Sequence, residues 1–287
     1  MKNLKIVISA LVLTFSLVST GQNKYEPDSV FVYKNTLQGE LKMNVFKPKN
    51  YKSSGKIPVV VFFFGGGWTS GSPKQFYQQA RYFADKGILA ISAEYRIFGK
   101  YKTSPFECVS DGKSAIRYVR EHATELGIDP KKVIASGGSA GGHVAVCTGV
   151  INGYDETTEN LKISSVPNAM ILFNPVVDTT EKGYGAKKVA KRETEVSPTN
   201  HVTKGVPPTL IFHGTADQTV PFENAERFTK LMQDAGNTCE LVPFEGQDHG
   251  FFNGSFFRKN SDDVIFYQMM EKSFDFLGKL KLTSNKK

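Results

Sequence analysis

The sequence predicts an α/β fold with a mainly parallel central sheet and helices on both of its faces. Short apolar runs recur along the chain, and the run at 59–64 contains no polar residue, as expected for a strand buried on both faces. Segments with helical character separate most of these runs, and this alternation is typical of parallel sheets. Reactive groups in such folds collect at the carboxyl ends of the strands, so candidate functional residues are sought there.

The elements are predicted in the following order. Alternating runs at 30–33 and 41–46 flank a glycine-containing turn and indicate an antiparallel hairpin. Buried strands are then predicted at 59–64, 88–92, 133–136, 169–173, 209–212 and 240–244. Helices are predicted at 73–86, 107–126, 140–150, 222–235 and 261–280. No repeat or linker interrupts this series, so we predict one catalytic domain over 22–287.

The first residues have the composition of an export signal. The basic residues Lys2 and Lys5 precede an apolar run at 6–18, and small residues follow at 19–21, which is typical of a secretory signal peptide. The run is shorter than the roughly 20 residues that a membrane-spanning helix needs. We therefore expect residues 1–21 to be cleaved, leaving an exported chain, periplasmic or secreted, without stable membrane insertion. An uncleaved anchor is the alternative.

Composition excludes few functions. Hydrophobic residues make up 40% of the chain and charged residues 22%, which is ordinary for a globular protein. The formal net charge is +8, and it becomes +6 once Lys2 and Lys5 are removed. Basic clusters at 187–188, 191–192 and 279–287 have no interleaved aromatic residues, so no nucleic-acid partner is expected. A solvated surface is favoured, with weak attraction to acidic polysaccharide as the alternative.

The cysteines indicate neither a disulfide framework nor a metal site. Cys108, Cys147 and Cys239 lie far apart, and none belongs to a spacing that binds zinc. We interpret all three as structural thiols and expect no metal or other cofactor.

A glycine-flanked serine is the main functional motif. The sequence Gly-Gly-Ser-Ala-Gly at 137–141 lies between a predicted strand and a predicted helix, the context in which Gly-x-Ser-x-Gly forms a nucleophile elbow. The tight turn would strain the backbone of Ser139 and raise its hydroxyl above the sheet. Glycine is expected at Gly137 and Gly141 because side chains there would collide with the neighbouring strand and helix.

A triglycine segment, 65–67, follows the strand at 59–64 and precedes Trp68. A loop without side chains presents its backbone N–H groups to a ligand. Beside the elbow, these groups and the N–H of Ala140 could hold the oxyanion of a tetrahedral intermediate, each typically contributing about 3 kcal/mol. The alternatives are a phosphate-binding loop or a simple turn, but no Lys-Ser/Thr pair follows the glycines as in a P-loop.

A serine nucleophile requires a base and an acid that orients the base. His249 follows the last predicted strand, and Asp217 follows the strand before it. The order serine, aspartate, histidine is that of one known triad arrangement. Asp178 and Asp248 are the rival acids. The remaining histidines lack a comparable position: His122, His143, His201 and His213.

Together these motifs resemble the α/β-hydrolase superfamily, in particular the esterases related to hormone-sensitive lipase and the bacterial feruloyl and acetylxylan esterases. Further matches lie at 94–96 and at 105–111 with Ala115, and the likeness extends from about 30 to 280. The resemblance implies an α/β-hydrolase fold and a carboxylic-ester substrate.

The resemblance also implies that the N–H groups of Gly66, Gly67 and Ala140 bind the oxyanion. Relatives usually have a histidine before the glycines, where this chain has Phe64. That histidine shapes the loop and does not react, so we expect activity to be retained.

The expected reaction is two-step acyl transfer through an acyl-enzyme. The sizeable lid candidate, 178–205, is polar and rich in lysine, which suits a bulky sugar alcohol better than a long acyl chain. A small-molecule or polysaccharide ester, acetyl or feruloyl, is therefore the expected substrate. Three alternatives stay open: a serine peptidase of the prolyl-oligopeptidase kind, a hydrolase of formamides or lactones, and a non-catalytic binding protein. The sequence does not predict the oligomeric state.

Overall fold

An eight-stranded sheet organises the computed structural model, which describes residues 24–189 and 191–283. The predicted signal peptide, 1–21, lies outside the described residues. The strands are β1 (Ser29–Thr36), β2 (Gly39–Phe46), β3 (Ile57–Phe63), β4 (Leu89–Ala93), β5 (Ile128–Gly138), β6 (Ala169–Phe173), β7 (Thr209–Gly214) and β8 (Cys239–Phe244).

The order of the strands is β1-β2-β4-β3-β5-β6-β7-β8. β2 pairs antiparallel with both β1 and β4, and every other neighbouring pair is parallel. The predicted hairpin and the predicted parallel sheet are both confirmed. β4 and β6 are buried at every residue, which explains why their sequences carry no alternation of polar and apolar residues. The carboxyl ends of β3 to β8 therefore meet at one edge of the sheet.

Six α-helices are present in the described residues. They are α1 (Tyr77–Asp85), α2 (Phe98–Tyr101), α3 (Pro105–Glu121), α4 (Ala140–Val150), α5 (Phe222–Asp234) and α6 (Asp263–Lys279). The helix predicted at 73–86 is divided into a 3-10 turn at Pro73–Phe76 and α1, and the four-residue α2 was not predicted. α3 begins with a capping box, in which Ser104 and Glu107 exchange hydrogen bonds. Within the described ranges, no helix is both long and apolar enough to cross a membrane.

Aromatic side chains at the centre of the core link the sheet to the loops above it. The ring of Phe173 in β6 stacks on Phe212 in β7 at a centroid distance of 5.4 Å. Phe252 stacks on Phe173 and on Phe76 at 5.7 Å and 6.0 Å. Because Phe252 follows His249 by three residues, its burial anchors the loop that carries this histidine. The three cysteines are buried free thiols, as predicted.

Buried ion pairs around Asp111 in α3 join the hairpin, the segment after β4 and the helix layer. The Asp111 carboxylate accepts hydrogen bonds of 2.8 Å from both Nε and Nη2 of Arg96, and one of 2.8 Å from Lys34 Nζ. Its side chain is fully buried. These contacts give a physical role to the segments 94–96 and 105–111.

Replacement of Asp111 tests the contribution of this network. We expect Asp111→Ala to lower the free energy of unfolding by about 3–5 kcal/mol, because it leaves the buried Arg96 without a counter-charge and leaves Lys34 with only the more exposed Glu156 at 3.3 Å. Asp234→Ala is the control, since it removes the exposed partner of Lys230 and should change the free energy by less than about 1 kcal/mol. Urea unfolding at pH 7 measures both variants. Equal losses would contradict a structural role for the buried pairs.

Candidate active site

Ser139 occupies a strained turn between β5 and α4. Its backbone has φ 55° and ψ −122°, a conformation that costs a non-glycine residue on the order of 1–3 kcal/mol. A Cβ on Gly141 would lie 2.1 Å from the carbonyl oxygen of Phe63, and a Cβ on Gly137 would lie 2.5 Å from that of Gly141. Neither position can accept a side chain, as predicted. The two glycines let strand and helix approach closely enough to keep the turn tight.

Ser139, His249 and Asp217 are brought together by a continuous series of hydrogen bonds. His249 Nε2 lies 2.8 Å from Ser139 Oγ, and His249 Nδ1 lies 2.6 Å from Asp217 Oδ2. An ionised carboxylate only accepts, so Nδ1 carries the proton and Nε2 is left to accept from the serine hydroxyl. Ser139 and Asp217 are buried, whereas the His249 side chain is 24% exposed. His249, the residue placed to remove the serine proton, is therefore the member of the three that a ligand can reach from solvent.

Asp217 is surrounded by hydrogen-bond donors. Its Oδ1 accepts from the backbone N–H groups of Thr219 and Val220 at 2.8 Å and 2.9 Å, and His213 Nε2 lies 3.3 Å from Oδ2. Burial acts to raise the pKa of this carboxyl, but the hydrogen bonds from His213, His249 and Val220 outweigh it, so the pKa falls well below its usual range. The carboxylate is ionised at neutral pH and keeps the Nδ1 proton on His249.

Asn174, which the sequence reasoning missed, connects the acid to the histidine loop. Its Nδ2 lies 2.7 Å from Asp217 Oδ2 and 3.2 Å from the carbonyl oxygen of His249, and its Oδ1 accepts from Gly214 N. The side chain is completely buried and the backbone has φ 42°. A signal was available, since Asn174 is the polar residue directly after the apolar strand β6.

The glycine loop, 65–67, lies against Ser139. A Cβ on Gly65 would lie 3.3 Å from the Cβ of Ser139. Gly66 has φ +125° and Gly67 has φ +61°, and a Cβ on Gly66 would lie 2.1 Å from the carbonyl oxygen of Ser70. In the described part of the chain, the N–H groups of Gly66, Gly67 and Ala140 donate to no other residue. These three predicted donors therefore remain available to a ligand.

Phe64 and Gln75 fix this loop. The Phe64 ring stacks on Tyr95 at a centroid distance of 4.4 Å, and the Tyr95 hydroxyl donates to the Phe64 carbonyl at 2.6 Å. Gln75 Oε1 accepts from Gly65 N at 2.6 Å, while its Nε2 donates to Asn253 Oδ1 at 3.0 Å. Aromatic packing thus fixes the residue before the glycines, and Gln75 couples the glycine loop to the segment after His249.

The rival acids are used elsewhere. Asp178 forms an ion pair with Arg227, and Asp248 forms one with Arg258 at 2.9 Å. Other histidines also have separate partners: His122 with Glu125, His143 with the Val196 carbonyl, and His201 with the Thr194 carbonyl. His213 differs, because it contacts Asp217. The geometry leaves His249 as the histidine that touches Ser139.

The segment 178–205 packs on the glycine loop. Lys188 Nζ donates to the carbonyl of Gly67 at 2.9 Å. Gly185 lies so close to Trp68 that a Cβ there would be 2.5 Å from the indole ring. Trp68 is buried and meets the ring of His143 edge to face at a centroid distance of 5.0 Å. Burial lowers the pKa of His143 to about 4, although the hydrogen bond to the Val196 carbonyl acts to raise it. Opening of this segment as a lid stays a prediction.

The arrangement suits nucleophilic attack followed by stabilisation of a negative oxygen. A base contacts the serine hydroxyl, an ionised acid fixes the base, and N–H groups without a partner in the described chain lie in the loop beside the serine and directly after it. Across residues 24–189 and 191–283, no group of three or more histidine, cysteine or acidic side chains is placed to hold a metal ion.

Comparison with known proteins identifies relatives among esterases. The BD-FAE family matches residues 43–232. An acetylxylan esterase of Xylanibacter ruminicola is 29% identical over 237 residues, which cover 77% of this chain and 45% of that protein. A probable isoprenylcysteine alpha-carbonyl methylesterase of Arabidopsis thaliana is 27% identical, with 72% and 48% covered. The chain thus spans about half the length of these curated relatives.

Solved structures give a closer match. Thermogutta terrifontis esterase 2 in its apo form is 45% identical, with a TM-score of 0.85 over 90% of this chain and 96% of that chain. The same esterase with bound propionate is 44% identical, with a TM-score of 0.84 and the same coverage of 90% and 96%. These findings confirm the predicted resemblance to α/β-hydrolase esterases and the predicted fold.

Replacement of Asn174 tests whether it positions the acid and the base. We expect Asn174→Ala to slow the reaction of Ser139 with a fluorophosphonate about tenfold or more, because a hydrogen bond to a charged group contributes about 1.5–3 kcal/mol. Asn44→Ala is the control, since this buried asparagine bonds Ser92 and Tyr77 away from the site. The rate constants of labelling are compared by mass spectrometry. A similar rate for both variants would show that Asn174 has no positioning role.

Proposed function

The chain belongs to the BD-FAE family and has the α/β-hydrolase fold of its esterase neighbours, and we propose that it is a serine carboxylesterase. The observation that carries the proposal is the unbroken hydrogen-bond series from Ser139 through His249 to Asp217. The free N–H groups beside Ser139 support the same reaction.

In the first step, Ser139 Oγ attacks the carbonyl carbon of the ester and His249 Nε2 takes the hydroxyl proton. Asp217 stabilises the imidazolium that forms, through the 2.6 Å bond to Nδ1. The carbonyl oxygen becomes negative and is bound by the N–H groups assigned to the oxyanion. Collapse of the intermediate breaks the bond to the alcohol, which leaves with the proton from His249.

In the second step, water attacks the acyl-enzyme. His249 takes a proton from the water, and the resulting hydroxide adds to the acyl carbonyl. The second intermediate collapses to the carboxylic acid, and His249 returns the proton to Ser139. Every proton in this cycle passes through His249 Nε2, so the reaction depends on Nδ1 remaining bonded to Asp217.

A carbohydrate ester is the proposed substrate. The acetylxylan esterase among the relatives supports this class, as does the polar segment 178–205, which packs directly on the glycine loop through Lys188. Such a surface suits a hydroxyl-rich alcohol. The signal-like sequence at 1–21 supports export, which would place the enzyme where polysaccharides are found.

Replacement of the serine tests the proposed function. We expect Ser139→Ala to lower kcat on p-nitrophenyl acetate about 10⁴-fold or more, because the nucleophile is lost. Ser136→Ala is the matched control, since this buried serine lies in β5, three residues before Ser139, and donates to the Ile171 carbonyl. Acetate release from acetylated xylan is measured with the same proteins. Turnover of p-nitrophenyl acetate without acetate release from xylan would support the esterase function and reject acetylated xylan as its substrate. An active Ser139→Ala enzyme would reject Ser139 as the nucleophile.

The length of the acyl chain gives a second test. A site that buried the acyl tail would gain about 0.8 kcal/mol per methylene, which is roughly a fourfold rise in kcat/KM. Because the segment 178–205 is polar, we expect p-nitrophenyl esters from acetate to decanoate to show no such rise. Steady-state rates at concentrations below micelle formation measure this. A continuous increase towards decanoate would indicate a lipase-like site.

A further inference from the structure

A cavity of about 480 Å³ lies next to the glycine loop. We call it the lysine cavity and define it by Gly67, Trp68, Phe98, Lys102, Lys187 and Lys188. Its lining combines two aromatic side chains with three cationic ones. It also shares Gly67 with the loop assigned to the oxyanion, so a ligand that occupies it would be close to the reacting bond.

The three lysines of this cavity lack a counter-charge. Among the described residues, Lys102, Lys187 and Lys188 form no ion pair, whereas Lys34, Lys113 and Arg117 are each paired with a carboxylate. No acidic residue lines the cavity. Glu107 contacts the lining residue Ser104, but its carboxylate already accepts from both N and Oγ of Ser104 at the start of α3.

Two buried donors in the lining also lack a partner. Trp68 Nε1 and Thr103 Oγ1 form no hydrogen bond within the described chain, although these residues are only 1% and 8% exposed. Buried polar groups without partners are uncommon in native proteins. These two atoms are closed off by the surrounding protein, so the donors that a ligand in the cavity can reach are the three ammonium groups of Lys102, Lys187 and Lys188. A ligand with several acceptor oxygens and negative charge would satisfy these ammonium groups.

The position of the cavity sets where that charge lies on the substrate. Gly65 is adjacent to Ser139, and Gly67 is two residues further, roughly 7 Å along the backbone. Phe98 is an exposed aromatic side chain at the cavity, and Lys102 Nζ lies 5.2 Å from its ring centroid. A carboxylate in the cavity would thus be several bonds from the scissile carbonyl, and Phe98 offers an apolar surface to the rest of the ligand.

We propose that the lysine cavity binds a carboxylate of the substrate, so that this enzyme prefers esters with a negative charge several bonds from the scissile carbonyl. The proposal rests on the esterase function above and specifies its substrate. The carboxylate can belong to the acyl half, as in a half-ester of a dicarboxylic acid, or to the alcohol half, as in an acetylated uronate sugar. Both share the same recognition chemistry.

The test uses a double variant, Lys102→Gln with Lys187→Gln. Lys188 is left unchanged because it donates to the Gly67 carbonyl, and its loss would disturb the glycine loop. The control variant, Lys182→Gln with Lys204→Gln, removes the same number of charges from exposed lysines that do not line the cavity. Any effect of net charge alone is therefore the same in both.

Two pairs of esters separate the two sources of the carboxylate. For the acyl half, kcat/KM on p-nitrophenyl hemisuccinate is divided by that on p-nitrophenyl butyrate. For the alcohol half, acetate release from an acetylated methyl glucuronoside is divided by release from the corresponding methyl glucoside. We expect one of these ratios to fall about fivefold or more in the cavity variant and to be unchanged in the control. The fall should shrink in 0.5 M salt, because the interaction is screened.

The pair whose ratio falls identifies the half that carries the carboxylate. Unchanged ratios in the cavity variant, or equal falls in both variants, would overturn the proposal while the esterase function stands. If the unmodified enzyme hydrolyses none of the four esters, the esterase function fails and this proposal fails with it.

Discussion

The buried carboxylate of Asp217 is the group on which the candidate site depends. It receives hydrogen bonds from Asn174 after β6 and from His249 after β8, and His213 Nε2 in β7 lies 3.3 Å from it. A buried charge is tolerated only when such donors surround it. The donors come from three neighbouring strands, so the parallel order of the sheet is what makes the ionised acid possible. The acid in turn determines which nitrogen of His249 faces the serine.

The other half of the site depends on close backbone approach. Ser139 has a strained conformation because Gly141 lets α4 contact the end of β3. The same contact places the segment after β3 beside the serine, where Gly65 lies against it. One steric requirement, the absence of side chains at the elbow, thus positions both Ser139 and the glycine loop beside it. This explains why the two glycine motifs occur after adjacent strands.

Most of the fold was predictable, because buried parallel strands and amphipathic helices leave strong local patterns. Strand ends and chain order also predicted the three residues that the structure joins by hydrogen bonds, Ser139, Asp217 and His249. Asn174 and Gln75 were not predicted, since their roles arise from contacts with residues far away in the sequence. Asn174 contacts Asp217, which lies 43 positions further along the chain, and Gln75 contacts Asn253, which lies 178 positions further along. Local sequence indicates that such residues are polar, but not which partner they meet. Contacts between loops from different strands require the assembled sheet.

The distribution of charge gives the site a preference that its catalytic groups do not impose. Cations inside the protein are compensated, as Lys34 and Arg96 are by Asp111. The ammonium groups of the lysine cavity are stabilised by water, because no carboxylate pairs with them in the described chain. A bound substrate must displace this water. As water leaves, the effective dielectric falls and each unpaired ammonium interacts more strongly with any charge that replaces it. A neutral ester would displace water from these ammonium groups without supplying a negative charge. An ester with a carboxylate would displace the water and also supply the negative charge. Selectivity in such a site therefore arises when the substrate binds, from the charges that folding left unpaired.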